Sequence, residues 1–390
     1  MITGVIIMQR RNLRISTVFL FMYFLLAPFE DSLNFGFGTI LKFIAGFYVI
    51  FAILEMFLYN ITFKIRVFHI AAILLIIISY LSYFWARVPS LVIDRNTAYL
   101  LLISFFVLSS LHGLNNKEKN YLEKTVIISG VMLTAVLLFI KGVSIDGRFI
   151  LNEGDDPNAL AALLILPTFV TLNSILKSDK YKILYIIVFL FITAGLLATG
   201  SRGALFSTGF ILIWYTLDVL NRKGKISSKL LTILLVSMCI GLFIVLIPNS
   251  LYSRYFDSNI FENELLSPYS RTSIWKTVIN SIIPSMPLLG YGSGNAYLIV
   301  GEYLGKPMSS HNLLFDILLQ YGYLGIVVFL IFLLSITSFL IKNKRKDLIY
   351  IFFAILLVTV FLEGLSKKYF WNVIMFIILT AQIDRKKEIK

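Results

Sequence analysis

Arg271 and His311 are the side chains of this sequence best suited to chemistry, and both lie in the polar segment from residue 267 to residue 325. A planar guanidinium binds phosphate oxygens in pairs and keeps its proton. An imidazole, with a pKa of about 6.5, can accept a proton from a hydroxyl near neutral pH. The pair therefore indicates a general base beside an anion-binding arginine. Taken alone, His311 is equally compatible with an ordinary residue at the start of a helix.

Arg202 is a third candidate, in the turn TGSRGA between two apolar runs. Gly200 and Gly203 flank it and permit unusual backbone dihedrals and close approach. A charged side chain so near hydrocarbon is unfavourable unless it extends to the interface or finds a partner. Two interpretations stay open, a snorkelling arginine and a second anion-binding group.

The stretch GRFILNEGDDPNALA brings Arg148 close in sequence to Asp156, Pro157 and Asn158. Asp156 or Asn158 can cap a helix because an Asx oxygen accepts the free amides of a first turn, and Pro157 suits the first helical position. Capping is one interpretation of this motif. Contact with a substrate is the other.

His311 and Asn312 are followed after nine residues by Gly322 and after two more by Gly325. We expect His311 to begin a helix that continues into a membrane span. A continuous helix would place His311 and both glycines on one face, with the glycines about 16 Å deeper.

A short helix is predicted from residue 269 to residue 283, where Pro284 ends it. Arg271, Trp275, Val278 and Ile282 share one face of this helix, so we expect it to lie on the membrane surface. The following GYGSGN lacks the third glycine of a dinucleotide-binding loop and is predicted to be a flexible hinge.

A membrane scaffold must position these residues, because 58% of the 390 residues are hydrophobic, more than in soluble domains. Apolar runs of about 16 to 22 residues recur roughly twelve times, and each suits a hydrocarbon core of about 30 Å. The sequence predicts an all-α, polytopic membrane protein in which residues 1–390 form one domain. The runs lie near 15–29, 39–59, 67–85, 96–113, 121–140, 159–176, 183–199, 204–220, 230–248, 319–341, 348–363 and 369–383.

Basic residues predict the orientation, since short cytoplasmic loops retain lysine and arginine. With the N-terminus inside, alternate loops and the two ends carry 23 of the 35 basic residues. The stretch WARVPSLVIDRN is then an outer loop, and 249–310 is the one larger outer loop. The net charge of +14 lies in short juxtamembrane loops, where retention and anionic lipid explain it, so nucleic acid is not expected as a partner.

Through DPNALA, TGSRGA, the SRTSIW helix and the spacing from His311 to Gly325, residues 145–340 resemble the bacterial O-antigen ligase and polymerase family. The resemblance implies an all-helical glycosyltransferase of the multispan C type at the outer face of the bacterial cytoplasmic membrane. It implies an undecaprenyl-diphosphate-linked glycan as donor and inversion of the anomeric centre. His311 would be the catalytic base, and Arg202 and Arg271 would clamp the diphosphate. Further possible substrate contacts are Arg148, Asn158, Asn312 and Lys276.

Neither a metal nor a cofactor is expected. Glu30 and Asp31 are adjacent and lack the acid-x-acid spacing of many metal-dependent polyprenyl-sugar transferases. His69 and His112 lack a metal-ligand neighbour at the third or fourth following residue. Cys239 is the single cysteine, so it forms no intramolecular disulfide.

The acceptor divides the family into two branches. A repeat-unit polymerase for O-antigen or capsule must hold a second lipid-linked glycan, for which Arg148, Arg254, Lys276 and Lys306 are spare outer cations. A ligase must hold a terminal acceptor such as lipid A core. We favour the polymerase, with a chain-length regulator and a flippase as possible partners. A lipid-linked oligosaccharide flippase or other transporter is the alternative from another class, although the halves of the chain show no internal repeat.

Overall fold

The computed structural model describes residues 13–33, 39–58, 64–140, 143–145, 148–152, 155–221, 226–246 and 267–382. Within these residues the fold is all-helical, as predicted, apart from one antiparallel hairpin of β1 (Val143–Ile145) and β2 (Arg148–Ile150). The helices are α1 (Ile15–Leu26), α2 (Ile40–Leu58), α3 (Val67–Leu81), α4 (Pro89–His112), α5 (Asn116–Ala135), α6 (Pro157–Lys177), α7 (Lys182–Ala198), α8 (Arg202–Asn221), α9 (Ile226–Leu246), α10 (Arg271–Thr277), α11 (Ala296–Leu304), α12 (Leu313–Lys342), α13 (Lys346–Thr359) and α14 (Lys368–Ala381).

Seven helices in the described ranges are long and apolar enough to cross a membrane: α2, α3, α4, α5, α6, α8 and α12. Some of these spans include a further turn, as in Asn116–Ile140. Shorter apolar helices include α1, α7 and α14. Every predicted apolar run coincides with one helix. The chain is therefore a multi-pass membrane protein, and crossing by all twelve runs stays a prediction.

One boundary prediction is wrong. α4 begins at Pro89, so the second part of WARVPSLVIDRN is helical and only residues 82–88 connect α3 to α4. Proline suits this first position because it has no N–H to leave unpaired. Asp94 and Arg95 consequently lie on the first two turns of α4 and not in a loop.

Polar contacts between connections define two ends of the bundle. At one end, Ser32 donates to Asn152, and Asn312 donates to the carbonyl oxygen of Val360 at 3.1 Å. At the other end, Arg14 pairs with Glu118 at 2.6 Å, and Arg345 donates to the carbonyl oxygen of Thr380. We call the first the site end, because it carries His311, and the second the basic end.

α14 lies inside the bundle, where every residue from Tyr369 to Ala381 is buried. The Trp371 ring lies 5.4 Å from the Phe106 ring and 5.8 Å from the Phe332 ring, joining α14 to α4 and α12. Close packing of this kind holds helices together where the surrounding lipid is as apolar as their side chains.

Both histidines away from the site are buried and hydrogen-bonded, but only His69 is fully satisfied as predicted, because His112 Nδ1 has no partner among the described residues. His69 accepts a hydrogen bond from the backbone N–H of Arg66 at 2.9 Å and contacts Ser110 at 2.8 Å. His112 lies 3.1 Å from Glu55 and 3.0 Å from Arg14. Cys239 is a free thiol on α9.

Candidate active site

His311 lies just before α12, so the prediction that it begins the helix is wrong. Asn312 is the N-cap, and its Oδ1 accepts hydrogen bonds from the N–H groups of Leu314 at 2.9 Å and Phe315 at 3.1 Å. His311 has a φ of +47°, uncommon for a residue with a side chain. Its own N–H donates to Ser309 Oγ at 3.1 Å. Backbone strain of this kind persists where the surroundings fix it, and it concentrates at functional sites.

α12 is interrupted at Gly322, so a continuous helix from His311 through this glycine is also a wrong prediction. Gly322 has a φ of +63° and a ψ of −158°, and a Cβ there would overlap the Leu288 carbonyl oxygen. The GYGSGN loop is docked into this break. Its N–H groups donate to the carbonyl oxygens of Leu319 at 2.7 Å and Gln320 at 2.9 Å, which the break leaves without helical partners. The loop is therefore a structural insert and not the predicted hinge.

Arg271 is the first residue of α10, which Ser270 caps by accepting from the N–H of Ser273 at 3.1 Å. The helix continues as a π-helical turn through Ile282. Ile282 is fully buried against Leu319 and neighbouring apolar residues, together with others on this face. The predicted position on the membrane surface is corrected, since this face packs against protein.

A hydrogen bond joins α10 to the histidine. Trp275 donates its indole N–H to the carbonyl oxygen of Ser310 at 3.0 Å. Ser310 immediately precedes His311, so α10 and the strained backbone at the histidine move together.

Phe361 joins the two arginine-bearing helices. The Arg271 guanidinium lies 5.9 Å from the Phe361 ring centroid, and Trp275 stacks on the same ring at 6.2 Å. Arg202 is the first residue of α8, and the next residue, Gly203, packs so closely that a Cβ would lie 3.0 Å from Phe361 Cβ. Gly200 has a φ of +61°, as its predicted role in an unusual turn requires. Both arginines are half-buried, and Phe361 contacts the Arg271 guanidinium and the residue that follows Arg202.

Arg148 connects two of the motifs. Its Nε donates to the carbonyl oxygen of Thr199, and its Nη2 donates to Asn158 Oδ1, each at 3.0 Å. Asp156 caps α6 by accepting from the N–H of Asn158 at 2.9 Å, and Pro157 is the first helical residue, as predicted. The DPN motif and the turn before Arg202 are thus held together through one guanidinium.

The connection from α13 to α14, residues 360–367, supplies a carboxylate that sequence reasoning missed. Glu363 pairs with Arg95 of α4 at 3.2 Å and is hydrogen-bonded to Ser309. Burial works to raise the pKa of Glu363, but the Ser309 hydrogen bond and the charges of Arg95 and Lys367 lower it below its usual range. The signal in the sequence is the charged stretch EGLSKK between two apolar runs, which the predicted span boundary at residue 363 concealed.

The site keeps His311 neutral near pH 7. Burial lowers the pKa of the imidazole and the Arg271 charge lowers it further, against the opposing charges of Glu363 and Asp156, and the result lies below the ordinary value. Arg271, Glu363 and Asp156 therefore all act on the histidine electrostatically. A neutral imidazole has a free nitrogen lone pair and can act as a general base.

Two cavities adjoin this cluster at the site end. The Arg95 cavity, of about 450 Å³, is lined mainly by polar residues, among them Asp94, Arg95, Asp316 and Glu363. The Lys42 cavity, of about 530 Å³, has an apolar wall and many polar residues, among them Lys42, Asp155, Asp156 and Lys368. Ala98, Ser366 and Lys367 line both cavities.

The remaining candidates are placed less centrally. Asn312 uses its side chain for the α12 cap and for the bond to Val360. Lys276 is exposed on α10, and it lines neither cavity. The Lys306 ammonium lies 3.7 Å from the Tyr269 ring centroid. Arg254 and the rest of residues 249–266 of the predicted larger outer loop lie outside the described residues.

The Glu30 carboxylate in the first connection is held by protein groups. Glu30 accepts from Thr39 Oγ1 at 2.9 Å and pairs with Lys368. In the part of the chain that the structure describes, no three His, Cys, Asp or Glu side chains come together as a metal site would require.

Residues 187–330 match a protein-family model described as O-antigen ligase. The chain carries an O-antigen ligase family domain. The predicted resemblance is thereby confirmed, over a narrower region than residues 145–340. Arg202, Arg271, His311 and Asn312 lie inside the domain, whereas Arg148, Asn158 and Glu363 lie outside it. No curated protein matches the chain.

Proposed function

We propose that this protein is a glycosyltransferase that moves a glycan from undecaprenyl diphosphate to a sugar hydroxyl of an acceptor. The observation that carries the proposal is the Trp275–Ser310 hydrogen bond, which ties the helix of Arg271 to the backbone of a half-buried His311. The Arg271 charge lies close enough to lower the pKa of that histidine. The O-antigen ligase domain supports the same class of reaction.

The reaction follows from the chemistry of these groups. His311 takes the proton of the acceptor hydroxyl as its oxygen attacks the anomeric carbon. The bond from that carbon to the diphosphate oxygen breaks, and the leaving diphosphate keeps the electron pair. Arg202 and Arg271 stabilise the charge that develops on it, which is their role in the transition state. Attack opposite the leaving group inverts the anomeric centre, and none of these steps uses a metal or cofactor.

We favour a repeat-unit polymerase for a surface polysaccharide such as O-antigen or capsule. The alternative is a ligase that joins the glycan to a terminal acceptor such as lipid A core. The protein would work in the bacterial cytoplasmic membrane with twelve spans and its site end outside, alongside a flippase and a chain-length regulator. Basic side chains gathered at the opposite end, including Arg14, Lys119 and Arg345, favour this orientation.

Gene deletion with complementation tests the function and separates the branches. His311→Ala, Arg202→Ala and Arg271→Ala should each abolish most transfer while leaving membrane insertion normal. Removal of a general base typically reduces a rate about 10²- to 10⁴-fold. Full activity of His311→Ala would eliminate the proposed base. Activity lost in EDTA and restored by Mg²⁺ or Mn²⁺ would contradict a metal-independent reaction.

The surface glycan of the deletion strain identifies the acceptor. Single-repeat glycans on their normal anchor indicate a polymerase. Long chains that accumulate on undecaprenyl diphosphate, with none on the anchor, indicate a ligase. A loss of lipid-linked glycan from the outer leaflet, with transfer intact in broken cells, would instead indicate a transporter.

Orientation has a separate test in a Cys239→Ser background. An impermeant maleimide added to intact cells should modify Lys306→Cys at the site end and leave Lys344→Cys unmodified. The opposite pattern would place the site end in the cytoplasm.

A further inference from the structure

We propose that the Arg95 cavity binds the sugar end of the acceptor and presents its hydroxyl to His311. This inference rests on the proposed function and adds to it the place and the chemical class of the acceptor group. The ligand is a hydroxyl-rich glycan end, recognised by its sugar and not by a lipid diphosphate.

The cavity lies beside the reacting groups. Its wall is built by the first turns of α4, by Tyr297 of α11, by Asp316 and Gln320 of α12 and by residues of the 360–367 connection. Glu363, in this wall, is hydrogen-bonded to Ser309, whose Oγ accepts the N–H of His311 at 3.1 Å. The cavity is therefore linked to the histidine backbone through two hydrogen-bonded residues, Glu363 and Ser309. Its volume of about 450 Å³ is typical of small-molecule sites, which measure about 300–1,000 Å³.

Three buried atoms of residues in this wall have no hydrogen-bond partner within the described residues: Arg95 Nε, Asp316 Oδ2 and Ser366 Oγ. Asp316 is only 4% exposed, so an unpaired carboxylate oxygen there is unfavourable without a ligand or water. The three atoms supply a donor, an acceptor and a hydroxyl that does both. Sugar hydroxyls, which donate and accept, match such a set.

The charges of the wall disfavour a diphosphate. Arg95 and Lys367 are cationic, whereas Asp94, Asp316 and Glu363 are acidic residues, so the cavity has no excess of positive charge. Arg202 and Arg271, which suit a diphosphate, do not line it. Tyr297 is 40% exposed and adds an aromatic surface to the lining.

The wall is also held in place before any ligand arrives. Gln320 Oε1 accepts from the N–H of Gly294 at 2.7 Å, and Gln320 Nε2 donates to the carbonyl oxygen of Asp316 at 3.2 Å. Preorganised polar groups bind a ligand with little loss of conformational freedom. The Lys42 cavity differs in combining polar residues with an apolar wall of Leu41, Leu102, Phe105 and Leu163.

Protection of a single cysteine tests the inference. The full-length protein with Cys239→Ser and Asp94→Cys, in lipid nanodiscs, is labelled with a water-soluble maleimide. Oligosaccharides of one and two repeat units, prepared from the host's surface polysaccharide, should slow labelling at position 94 several-fold. Undecaprenyl diphosphate should leave that rate unchanged. Glu302→Cys, at a side chain that is 43% exposed and lies outside the cavity, should be insensitive to both.

The assignment would be overturned if undecaprenyl diphosphate slowed labelling at position 94. It would also be overturned if neither probe slowed it. Tyr297→Cys provides a second position in the same wall if Asp94→Cys fails to fold. Repeating the labelling with His311→Ala separates this inference from the proposed function, because protection needs binding and no catalysis. Protection with full transfer by His311→Ala would remove the proposed base and keep the cavity as a glycan site.

Discussion

Trp275 donates its indole N–H to the carbonyl oxygen of Ser310 over 3.0 Å, and this hydrogen bond couples α10 to the backbone that presents His311. Arg271 is one turn earlier on the same helix. Because φ at His311 is +47°, the histidine depends on such contacts for its position. This tryptophan therefore helps to hold the proposed clamp and the proposed base in register.

Trp275→Phe should lower the transfer rate roughly two- to tenfold, because a typical hydrogen bond contributes about 0.5–1.5 kcal/mol. The phenyl ring can still stack on Phe361, so expression and thermal stability should stay near those of the parent protein. Trp214→Phe is the matched control, since Trp214 packs on Tyr350 with ring centroids 5.1 Å apart on another helix pair. Equal rates for both variants would show that the hydrogen bond does not position the site.

Transfer by the unmodified protein should decline as the pH falls. The base must be neutral, and burial together with Arg271 lowers the pKa of His311 below its ordinary value of 6.5. Half of the maximal rate should therefore be reached at a pH below 6.5. A pH profile of initial rates measures this midpoint, and a midpoint above 7 would contradict the environment described for the imidazole.

Glu363→Gln should reduce transfer and also move this midpoint to lower pH. The Glu363 charge raises the pKa of His311, so its removal lets burial and Arg271 lower the pKa further. A purely structural defect would lower the rate without moving the midpoint. Glu302→Gln is the control, because Glu302 forms a comparable pair with Arg87 where both side chains are largely in water, at 43% and 53% exposed.

The helices were predictable because apolar runs of span length have few other structures available in a membrane. The motif residues were predictable for a similar reason, since Pro157 and the glycines around Arg202 have narrow backbone preferences. The clustering of Glu363 and Arg95 with the histidine was not predictable from the sequence. These residues are 268 positions apart, and only the packing of α4 against the α13–α14 connection brings them together.

The break in α12 escaped prediction because its cause is also distant in sequence. Periodicity favours a continuous helix through Gly322, but the GYGSGN loop supplies the backbone partners that make a break stable. A helix interior normally retains its own hydrogen bonds unless other groups replace them. The local sequence therefore shows that a glycine is present at position 322, but it does not show that the GYGSGN loop docks there.

Gly322→Ala should strongly destabilise the protein. The residue has a φ of +63°, and a Cβ would overlap the Leu288 carbonyl oxygen, so both backbone strain and a steric clash oppose the substitution. Gly209→Ala in α8 is the control, because a Cβ there meets no atom within 4 Å. Thermal unfolding in detergent should show a large fall in Tm for the first variant and little change for the second. Similar Tm values would contradict the docking of the loop in the break.

Arg148 is expected to act by holding the DPN motif against the turn before Arg202, and a double-mutant cycle tests this. Arg148→Lys keeps the positive charge but cannot donate to Thr199 and Asn158 together, and Asn158→Ala removes one acceptor. Each should lower the Tm and the transfer rate, because a hydrogen bond to a charged group contributes roughly 1.5–3 kcal/mol.

The double variant should be little worse than either single one, because both break the same contact. Lys276 is exposed on α10, so Lys276→Ala should leave the Tm and the transfer rate nearly unchanged. If Arg148 instead bound the substrate through its charge, Arg148→Lys would keep its Tm and much of its activity. Asn158→Ala would then add its own loss independently. Additive losses of transfer activity with unchanged Tm values would therefore identify Arg148 as a substrate contact. Coupled losses of activity with lowered Tm values would identify it as a positioning residue for the arginine clamp.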